Sequence, residues 1–345
     1  MIVMNAESIL EEHIDIIDRE IKKVFEGRDF PRELYDMMKY HLGWVDENLE
    51  PVERYKGKRF RPTMCLLAYH SLAGVYDKAL PAAASIELIH NFSLIHDDIE
   101  DRDETRRGKP TVWKHFGVEH AINAGDGMHV LANLAALRLQ EVNVADAKII
   151  NVLKILNNTV MELCEGQYLD MGFENKMDVD IDLYLKMVYR KTAALIEASF
   201  WIGAMLATDN EVKIGHFRSF GRNIGIAFQI VDDIIGIWSS KTGKPRASDI
   251  RNKKKTLPVI YAISKASRED RAFIQRIYSK KEILSDKEVE EVLALLEKVK
   301  AREFSIKTAR KYEVSALQEF DSLGIKNPSI EKIISLSKFL ITRSY

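Results

Sequence analysis

Apolar side chains recur at helical spacing along most of the chain. Residues 5–25, 147–171 and 183–207 each place apolar positions three or four residues apart, with charged positions between them. This spacing is typical of one face of an amphipathic helix. Segments of alternating polarity that end in Asn-Gly or Asp-Gly turns are absent from the sequence, so strands are not expected. The pattern predicts an all-α fold.

The breaks in this pattern are few and short. The 345 residues include only 17 glycines and 8 prolines, a low proportion that favours long helices over many turns. The predicted loops lie at residues 26–32, 51–62, 102–112, 172–181, 239–256 and 323–329. None of them is a long flexible linker or a low-complexity tract. We therefore predict a single large helical domain over residues 1–345.

Composition excludes several classes of protein. Lys and Arg (51) nearly balance Asp and Glu (52), so no overall positive charge indicates a nucleic-acid partner. No run of 18 apolar residues is present, so no membrane span is predicted. The first residues lack the basic and long apolar regions of a signal peptide. Cys65 and Cys164 lie in apolar surroundings without CxxC spacing, which predicts buried free thiols and a cytoplasmic protein.

Two apolar segments each run into a pair of aspartates. The first segment, residues 86–101, ends in Asp97-Asp98-Ile99-Glu100-Asp101, and the second, residues 225–236, contains Asp232-Asp233. Helix positions four apart share a face, so Asp97 and Asp101 are expected to point the same way. Like charges placed there favour a bound cation. Magnesium suits such a site because it takes one or two carboxylates and completes its shell with water and substrate phosphates.

Basic runs accompany the two acidic segments. They lie at residues 56–62, 102–111, 243–244 and 253–258. Arginine binds phosphate oxygens through two parallel hydrogen bonds, and lysine contributes a point charge. Acidic helices that hold magnesium beside cationic loops together predict a polyphosphate site.

The order of these motifs resembles the trans-isoprenyl diphosphate synthases, the polyprenyl synthetase family that includes farnesyl and geranylgeranyl diphosphate synthases. The resemblance runs from about residue 50 to 260. It rests on seven motifs: GKRFRP at 57–62, HDDIED at 96–101, RRGKPT at 106–111, GQYLD at 166–170, KT at 191–192, FQIVDD at 228–233 and KKTLP at 254–258.

The resemblance implies an all-α helical bundle around a deep central cavity, a homodimer, and a role for each matching residue. Asp97 and Asp101 would bind two of three magnesium ions, Asp232 would hold the third, and Asp98 would belong to the same catalytic group. The allylic diphosphate would be contacted by Arg106, Lys191 and Lys254, with Lys244 as a further substrate-binding residue. Isopentenyl diphosphate would be bound by Lys58, Arg61, His90 and Arg107. The reacting region would be lined by Asp170, Thr192 and Gln229.

These roles imply ionisation followed by addition. Magnesium and the cationic side chains would stabilise the departing pyrophosphate, so that the allylic carbon–oxygen bond ionises. The double bond of isopentenyl diphosphate would attack the resulting carbocation, and a proton would then be lost, to the pyrophosphate itself. No nucleophilic side chain is needed, which agrees with the lack of a serine- or cysteine-centred triad.

The second aspartate motif departs from the family pattern DDxxD. Its last position is Gly236, so the final carboxylate is missing. Three interpretations follow. The chain is a chain-elongating synthase with a variant motif, or a relative that uses the ionisation differently (a cyclase, a diphosphate-releasing enzyme or a non-head-to-tail coupler), or a non-catalytic subunit of a heteromeric synthase. The intact first motif and the Arg106-Arg107 pair favour an enzyme.

Two residues before the first motif predict the product length. Phe92 lies five positions and Ser93 four positions upstream of Asp97. In the resemblance, an aromatic residue followed by a small one at these positions is typical of short-chain synthases. We predict a product of fifteen to twenty carbons, with the twenty-carbon geranylgeranyl diphosphate favoured.

Overall fold

The computed structural model describes residues 5–52, 57–173, 176, 178–239, 246–280 and 282–342. Its helices are α1 (Ala6–Phe25), α2 (Arg32–Leu42), α3 (Phe60–Ala73), α4 (Leu80–Glu100), α5 (Val112–Phe116), α6 (Val118–Leu137), α7 (Asp146–Phe173), α8 (Ile181–Val188), α9 (Ala194–Ala207), α10 (Glu211–Trp238), α11 (Ser248–Arg251), α12 (Leu257–Lys265), α13 (Arg268–Tyr278), α14 (Asp286–Lys298), α15 (Ala301–Leu323) and α16 (Pro328–Thr342). The prediction of an all-α fold is confirmed.

Short elements link some of these helices. A π-helical turn, Tyr189–Ala193, continues α8 into α9, and 3-10 turns form at Asp77–Ala79 and Arg138–Val142. Two-residue strands β1 (Thr105–Arg106) and β2 (Lys109–Pro110) pair in antiparallel fashion within a segment predicted to be a loop. Helix ends follow local chemistry, because Ser285 and Glu288 form a capping box at α14 and left-handed glycines end α2, α3 and α15.

Two details of the prediction are wrong. Residues 239–256 were predicted as a loop, but Ser248–Arg251 within them form α11, whose residues Ala247 and Ile250 are buried. Cys164 is exposed rather than buried, whereas Cys65 is buried as predicted. A residue on a long amphipathic helix can have apolar sequence neighbours and still face outward, because adjacent positions are about 100° apart around the helix.

The chain divides into two compact units. Unit one comprises Met1–Val160, Ala198–Arg218 and Ile325–Leu336, and unit two comprises Met161–Glu197, Ser219–Gly324 and Ser337–Tyr345. Their boundaries fall inside or directly beside helices rather than in a linker. The prediction of a single domain over residues 1–345 stays a prediction.

Helix α4 is the central buried element of unit one. It packs against α1, α3 and α6, and eleven of its first fifteen residues are buried. A helix that is apolar around its whole circumference has to be buried on all sides. Helix α6 meets it with small residues such as Ala124, Gly125 and Ala132, which allow the two backbones to approach closely. The polar carboxyl end of α4 is thereby held in a fixed position.

Unit two is built around the second half of α10 and the helices that follow it. A buried apolar cluster includes Ile237, Ile250, Val259, Ile274 and Val292, so α10 to α14 share one core. Aromatic pairs extend this packing to α15, where Phe320 stacks on Phe220 and Phe304 stacks on Tyr261, with ring centroids 4.0 Å and 3.9 Å apart. No helix in the described ranges is long and apolar enough to cross a membrane.

Candidate active site

The first aspartate motif occupies the carboxyl end of α4. The backbone N–H of Asp101 donates to the carbonyl oxygen of Asp97 at 2.8 Å, so helical geometry continues one residue beyond α4. The two carboxylates therefore lie on one face, as the spacing predicts. Asp101 is exposed and Asp97 is half-buried, which leaves both accessible from solution.

Asp98, between them, has a different environment. It is buried, and its Oδ1 accepts hydrogen bonds from Nε and Nη2 of Arg106, both at 2.7 Å. Burial raises the pKa of Asp98, and the Arg106 guanidinium opposes that rise. Asp98 thus holds Arg106 in place rather than facing outward with Asp97 and Asp101.

A tight hairpin presents Arg106 and Arg107. Its two-residue turn, Arg107-Gly108, has positive φ at both positions (54° and 76°), the signature of a type I′ turn. The hairpin is anchored at its base, because the carbonyl of Pro110 accepts from the Tyr40 hydroxyl at 2.7 Å. The Lys109 ammonium donates to the Tyr40 carbonyl and lies 3.8 Å above the Tyr40 ring.

The two arginines of the GKRFRP motif have opposite environments. Arg59 is fully buried and ion-paired, with Nε 2.9 Å from Asp18 Oδ1 and Nη1 2.7 Å from Glu87 Oε1. Arg61 has no carboxylate partner among the described residues. Its Nη1 lies 3.1 Å from His90 Nε2, and its buried Nε has no hydrogen-bond partner. Burial lowers the pKa of Arg61 to about 10, and the charge of Glu87 opposes that fall.

Further groups in unit one adjoin this arginine–histidine pair. Lys58 precedes it and is exposed. A Cβ on Gly57 would lie 3.0 Å from Nη2 of Arg107, so glycine is what allows the guanidinium to approach the backbone there. The structure thus brings two predicted diphosphate-binding motifs, GKRFRP and RRGKPT, into contact.

His41, on α2, belongs to the same cluster as Arg61, His90 and Arg107. It lies in no sequence motif that predicts a functional site. Its side chain is only 5% exposed, and its Nε2 has no hydrogen-bond partner. Burial lowers the pKa of His41 well below its ordinary value, and the charges of Arg107, Arg106 and Lys109 lower it further. The cleft beside it is lined by Tyr40, Asp46, Glu47, Arg107 and Lys109.

The second aspartate motif lies on α10 in unit two, and its two aspartates also differ. Asp232 is exposed. Asp233 is buried and accepts hydrogen bonds from the Tyr184 hydroxyl (2.5 Å), Gln229 Nε2 (3.0 Å) and the Leu257 backbone (3.0 Å). Burial raises the pKa of Asp233 to about 7, against the effect of these three donors. Asp233 therefore ties α8, α10 and α12 together.

The predicted residues Lys191 and Thr192 lie in the π-helical turn, a feature often found at functional sites. Lys191 Nζ donates to Asp170 Oδ2 at 2.5 Å, and Thr192 Oγ1 donates to Gln229 Oε1 at 2.7 Å. The three residues predicted to line the reacting region, Asp170, Thr192 and Gln229, thus form two bonded pairs together with Lys191, the predicted diphosphate ligand.

Two glycines make room for this turn. A Cβ on Gly166 of α7 would lie 2.2 Å from the backbone nitrogen of Lys191, and one on Gly225 of α10 would lie 2.6 Å from Cα of Ala193. Contacts this short with backbone atoms exclude any side chain at these positions. The two glycines therefore let α7 and α10 pack directly on the turn.

A carboxylate lies against Gly236, where the second motif lacks its own. A Cβ on Gly236 would meet Asp249 of α11, at 2.1 Å from Oδ2, 2.5 Å from Cγ and 3.0 Å from Oδ1. No local sequence pattern links Asp249 to Gly236, because thirteen positions separate them.

The remaining predicted residues are placed as follows. Lys254 is exposed after α11, and its backbone N–H donates to the Asp249 carbonyl at 2.8 Å. Lys244 lies outside the described residues. Phe92 is buried, with its ring centroid 4.9 Å from that of His129 on α6, and Ser93 Oγ donates to the His90 carbonyl at 2.9 Å.

The donor chemistry fits magnesium bound together with a phosphate ligand. No group of three His, Cys, Asp or Glu side chains within the described ranges forms a metal cage. Magnesium does not require one, since it commonly takes one or two carboxylates, with water and substrate phosphates as its other ligands. Asp97, Asp101 and Asp232 offer the hard oxygen atoms that it prefers.

Comparisons with known proteins agree with the fold and the candidate site described above. The polyprenyl synthetase family model matches residues 43–296. A (2E,6E)-farnesyl diphosphate synthase of Mycobacterium tuberculosis is 37% identical over 311 residues, covering 89% of this chain and 85% of the relative. The crystal structure of a geranylgeranyl pyrophosphate synthetase from Pyrococcus horikoshii matches with a TM-score of 0.87 and 37% identity, covering 98% of each chain.

A second solved structure contains ligands. It is a geranylgeranyl pyrophosphate synthase from Corynebacterium glutamicum in complex with isoprenyl diphosphate and magnesium. It is similar to this chain with a TM-score of 0.82 and 25% identity, covering 99% of this chain and all of that one (100%).

The fold and these similarities define a helical prenyltransferase. The chain belongs to the polyprenyl synthetase family. The resemblance to trans-isoprenyl diphosphate synthases, inferred from seven short motifs, is confirmed.

Proposed function

We propose that the protein adds isopentenyl diphosphate head to tail to an allylic diphosphate and releases an isoprenyl diphosphate of fifteen to twenty carbons. Membership of the polyprenyl synthetase family carries this proposal. The first aspartate motif supports it, because Asp97 and Asp101 share one accessible face while Asp98 holds Arg106 beside them.

The allylic diphosphate is the group that the acidic motifs recognise. Asp97 and Asp101 would bind two magnesium ions and Asp232 would bind a third, as the sequence predicts. The Corynebacterium relative, solved with magnesium and isoprenyl diphosphate, supports magnesium as the metal. Bound magnesium neutralises the charge that develops on the departing pyrophosphate. The resemblance to the family implies that Arg106, Lys191 and Lys254 contact this diphosphate, with Lys244 as a further ligand.

Isopentenyl diphosphate is bound in unit one by the cationic cluster of Lys58, Arg61, His90 and Arg107. Arg61 supports this assignment, because its buried Nε lacks a hydrogen-bond acceptor. A buried donor without a partner is costly, and a phosphate oxygen satisfies it with a strong, charge-assisted bond. His90 orients the guanidinium through the 3.1 Å contact with Nη1.

The chain's own residues have limited tasks in the reaction. The cationic side chains stabilise the leaving pyrophosphate as the allylic carbon–oxygen bond ionises. The double bond of isopentenyl diphosphate then attacks the allylic carbocation. Thr192 and Gln229 present oxygen dipoles to the reacting carbons, and Asp170 fixes the Lys191 ammonium. The departing pyrophosphate accepts the final proton.

Phe92 and Ser93 limit product length in this proposal. Phe92 closes the space between α4 and α6 against the ring of His129, and Ser93 leaves room one position closer to the aspartates. A chain that grows along α4, away from Asp97, meets the Phe92 ring after a few isoprene units. We propose a twenty-carbon product on this basis.

Homodimerisation is supported by α6. Exposed apolar side chains form a stripe on this helix, at Val118, Ile122, Val130 and Leu137, which the exposed Asp126 interrupts between Ile122 and Val130. Grouped exposed apolar side chains on a folded protein mark an interaction surface, and a two-fold dimer buries one such surface on each copy. A cytoplasmic location stays a prediction from the sequence.

Turnover with product analysis tests the function. Purified protein is incubated with magnesium, isopentenyl diphosphate and allylic diphosphates of increasing length, and the products are identified by mass spectrometry. We expect longer diphosphates, and we expect activity to disappear when the magnesium is chelated. A hydrocarbon or alcohol would instead indicate a cyclase or coupler, and turnover only with an added subunit would indicate a partner role.

Variants of the first motif sharpen this test. Asp97→Asn and Asp101→Asn should each lower kcat by at least about 100-fold, since each removes charge stabilisation at the leaving group. Asp321→Asn, an exposed aspartate on α15, is the matched control and should behave like the wild type. Wild-type rates in the two motif variants would contradict the proposed roles.

A further inference from the structure

The space beside Gly236 is filled by another residue's carboxylate. All three carboxylate atoms of Asp249 lie within 3.0 Å of the position that a Cβ on residue 236 would take, with Oδ2 at 2.1 Å. A side chain at 236 and Asp249 in its present position therefore exclude each other. Since residue 236 lies one helical turn after Asp232, this carboxylate lies on the same face of α10 as Asp232.

The position of Asp249 is fixed by contacts around it. Ala247, with a φ of 56°, begins α11, and the flanking Ala247 and Ile250 are fully buried. The Ser248 hydroxyl donates to the carbonyl of Gly236 at 3.4 Å, and the Asp249 carbonyl accepts from the Lys254 backbone at 2.8 Å. The start of α11 is thus hydrogen-bonded to Gly236, the residue of the second motif that lacks a carboxylate.

The other aspartate of the motif is not available for this role. Both oxygens of Asp233 accept hydrogen bonds, from Tyr184 and Leu257 on one side and from Gln229 on the other. Asp233 therefore serves to hold α8, α10 and α12 together.

We propose that Asp249 supplies the carboxylate that the second motif lacks at Gly236, and that Asp232 and Asp249 together bind the magnesium ion of unit two. The inference rests on the proposed function, because that function requires the ion. It explains how a motif that ends in glycine is compatible with a working synthase, since α11 supplies the carboxylate that α10 lacks.

Moving the carboxylate back to α10 tests this proposal. Asp249→Asn should weaken magnesium-dependent binding of inorganic pyrophosphate, measured by isothermal titration calorimetry, by about 10- to 100-fold. Gly236→Asp should disturb the site because its side chain meets Asp249. The double variant Gly236→Asp with Asp249→Gly should recover binding to within a few fold of the wild type. Asp321→Asn is the control, and melting temperatures show that each variant is folded.

The outcomes distinguish an error in the proposed function from an error in the role of Asp249. If wild-type protein does not bind pyrophosphate with magnesium, both the proposed function and the role of Asp249 are wrong. If the wild type binds and Asp249→Asn binds equally well, only the role of Asp249 is wrong. A double variant no better than Asp249→Gly alone also overturns it.

An independent observation in unit one concerns His41. It is almost fully buried, lines the cleft beside Arg107, and leaves Nε2 without a hydrogen-bond partner. The charges that lower the pKa of His41 are those of Arg59, Arg106, Arg107 and Lys109, and His41 in turn lowers the pKa of His90. The carboxylates Asp46 and Glu47 also line the cleft. A buried imidazole among cations that lacks an acceptor indicates a place for an anion.

We further propose that His41 Nε2 donates a hydrogen bond to the diphosphate of isopentenyl diphosphate, beside Arg61 and His90. This inference also rests on the proposed function. His41→Phe keeps a ring of similar shape and removes the donor. It should weaken binding of isopentenyl diphosphate in calorimetry by about 10-fold or more, the value of a hydrogen bond to a charged group.

Two controls accompany this test. His120→Phe changes an exposed histidine of α6 and should leave isopentenyl diphosphate binding unchanged. Magnesium-dependent pyrophosphate binding should be unaffected in His41→Phe. If Arg61→Leu loses isopentenyl diphosphate while His41→Phe retains it, His41 has no part in binding. If neither substitution has an effect, the proposed diphosphate site of unit one is wrong as well.

Discussion

At the scale of single residues, side chains of one type have different tasks within the same motif. Arg59 is neutralised by Asp18 and Glu87, whereas Arg61, two positions later, has no carboxylate partner among the described residues. Arg59 also has a φ of 48° at the start of α3, a conformation that costs about 1–2 kcal/mol for a residue other than glycine. Its buried ion pairs hold that turn, and the turn determines where Lys58 and Arg61 lie.

Removing the Arg59 guanidinium should destabilise unit one strongly. Arg59→Met leaves two buried carboxylates without their counter-charge, which typically costs about 3–5 kcal/mol. Chemical denaturation measures this loss. Lys114→Met, which removes an exposed ion pair with Glu104, is the control and should cost less than about 1 kcal/mol. Equal stability of the two variants would show that the Arg59 ion pairs do not hold the fold.

Phe92 should set the product length. Phe92→Ala removes a buried ring that packs on His129, so the growing chain gains space beside α6. We expect the main product to lengthen by at least one isoprene unit, as determined by mass spectrometry. Phe25→Ala is a matched control, because Phe25 on α1 is equally exposed (7%) and packs against Tyr35 and Trp44. An unchanged product distribution in Phe92→Ala would show that Phe92 does not limit the product length.

At the scale of elements, the π-helical turn between α8 and α9 determines where the predicted site residues of unit two point. It changes the direction in which Lys191 and Thr192 point relative to a continuous α-helix, and it brings them to Asp170 and Gln229. Gly166 allows α7 to touch the turn at the backbone of Lys191. Glycine is therefore part of the site although it carries no functional group.

Two glycines of α7 give a matched pair for testing this. Gly166→Ala introduces a Cβ 2.2 Å from the Lys191 nitrogen, so backbone has to move, which should lower the melting temperature and kcat together. Gly172→Ala meets nothing within 4 Å and should be neutral or stabilise by about 0.5–1 kcal/mol, because alanine favours a helix. The proposed packing is wrong if both substitutions have the same effect on kcat.

At the scale of the whole molecule, the apolar stripe of α6 is the surface that we propose to form the homodimer. Within the chain, α6 buries its small residues against α4 and also contacts α5 and α2. In the proposed homodimer, its exposed apolar stripe packs on a second copy of this chain.

A charge in this stripe should dissociate the dimer. Val130 is 57% exposed, and Val130→Arg would bury an unpaired charge in the interface, so we expect monomers in light scattering. Val212 on α10 is 70% exposed and lies off the stripe, so Val212→Arg should remain a dimer. If Val130→Arg and the wild type have the same mass, the interface lies elsewhere.

The sequence predicted the helices of the site well because helical periodicity is local. The first aspartate motif, α7 and the α8–α9 segment all follow from spacings of three and four residues. It predicted α11 poorly, since a four-residue helix is too short to show a period. It also wrongly predicted that Cys164 is buried, because apolar neighbours in sequence do not determine which way one helical position faces.

By itself the sequence determined the chemistry of this protein, namely which acidic and basic groups are present and in what order. The tertiary structure decided what each group does. Asp98 and Asp233 resemble their neighbours in sequence, but burial and hydrogen-bond donors from distant elements give them structural roles. Asp249 reaches Gly236 only because α11 packs on α10, and His41 joins the cationic cluster only through the packing of α2. Contacts of this kind depend on which surfaces meet in the folded chain, and no local pattern contains them.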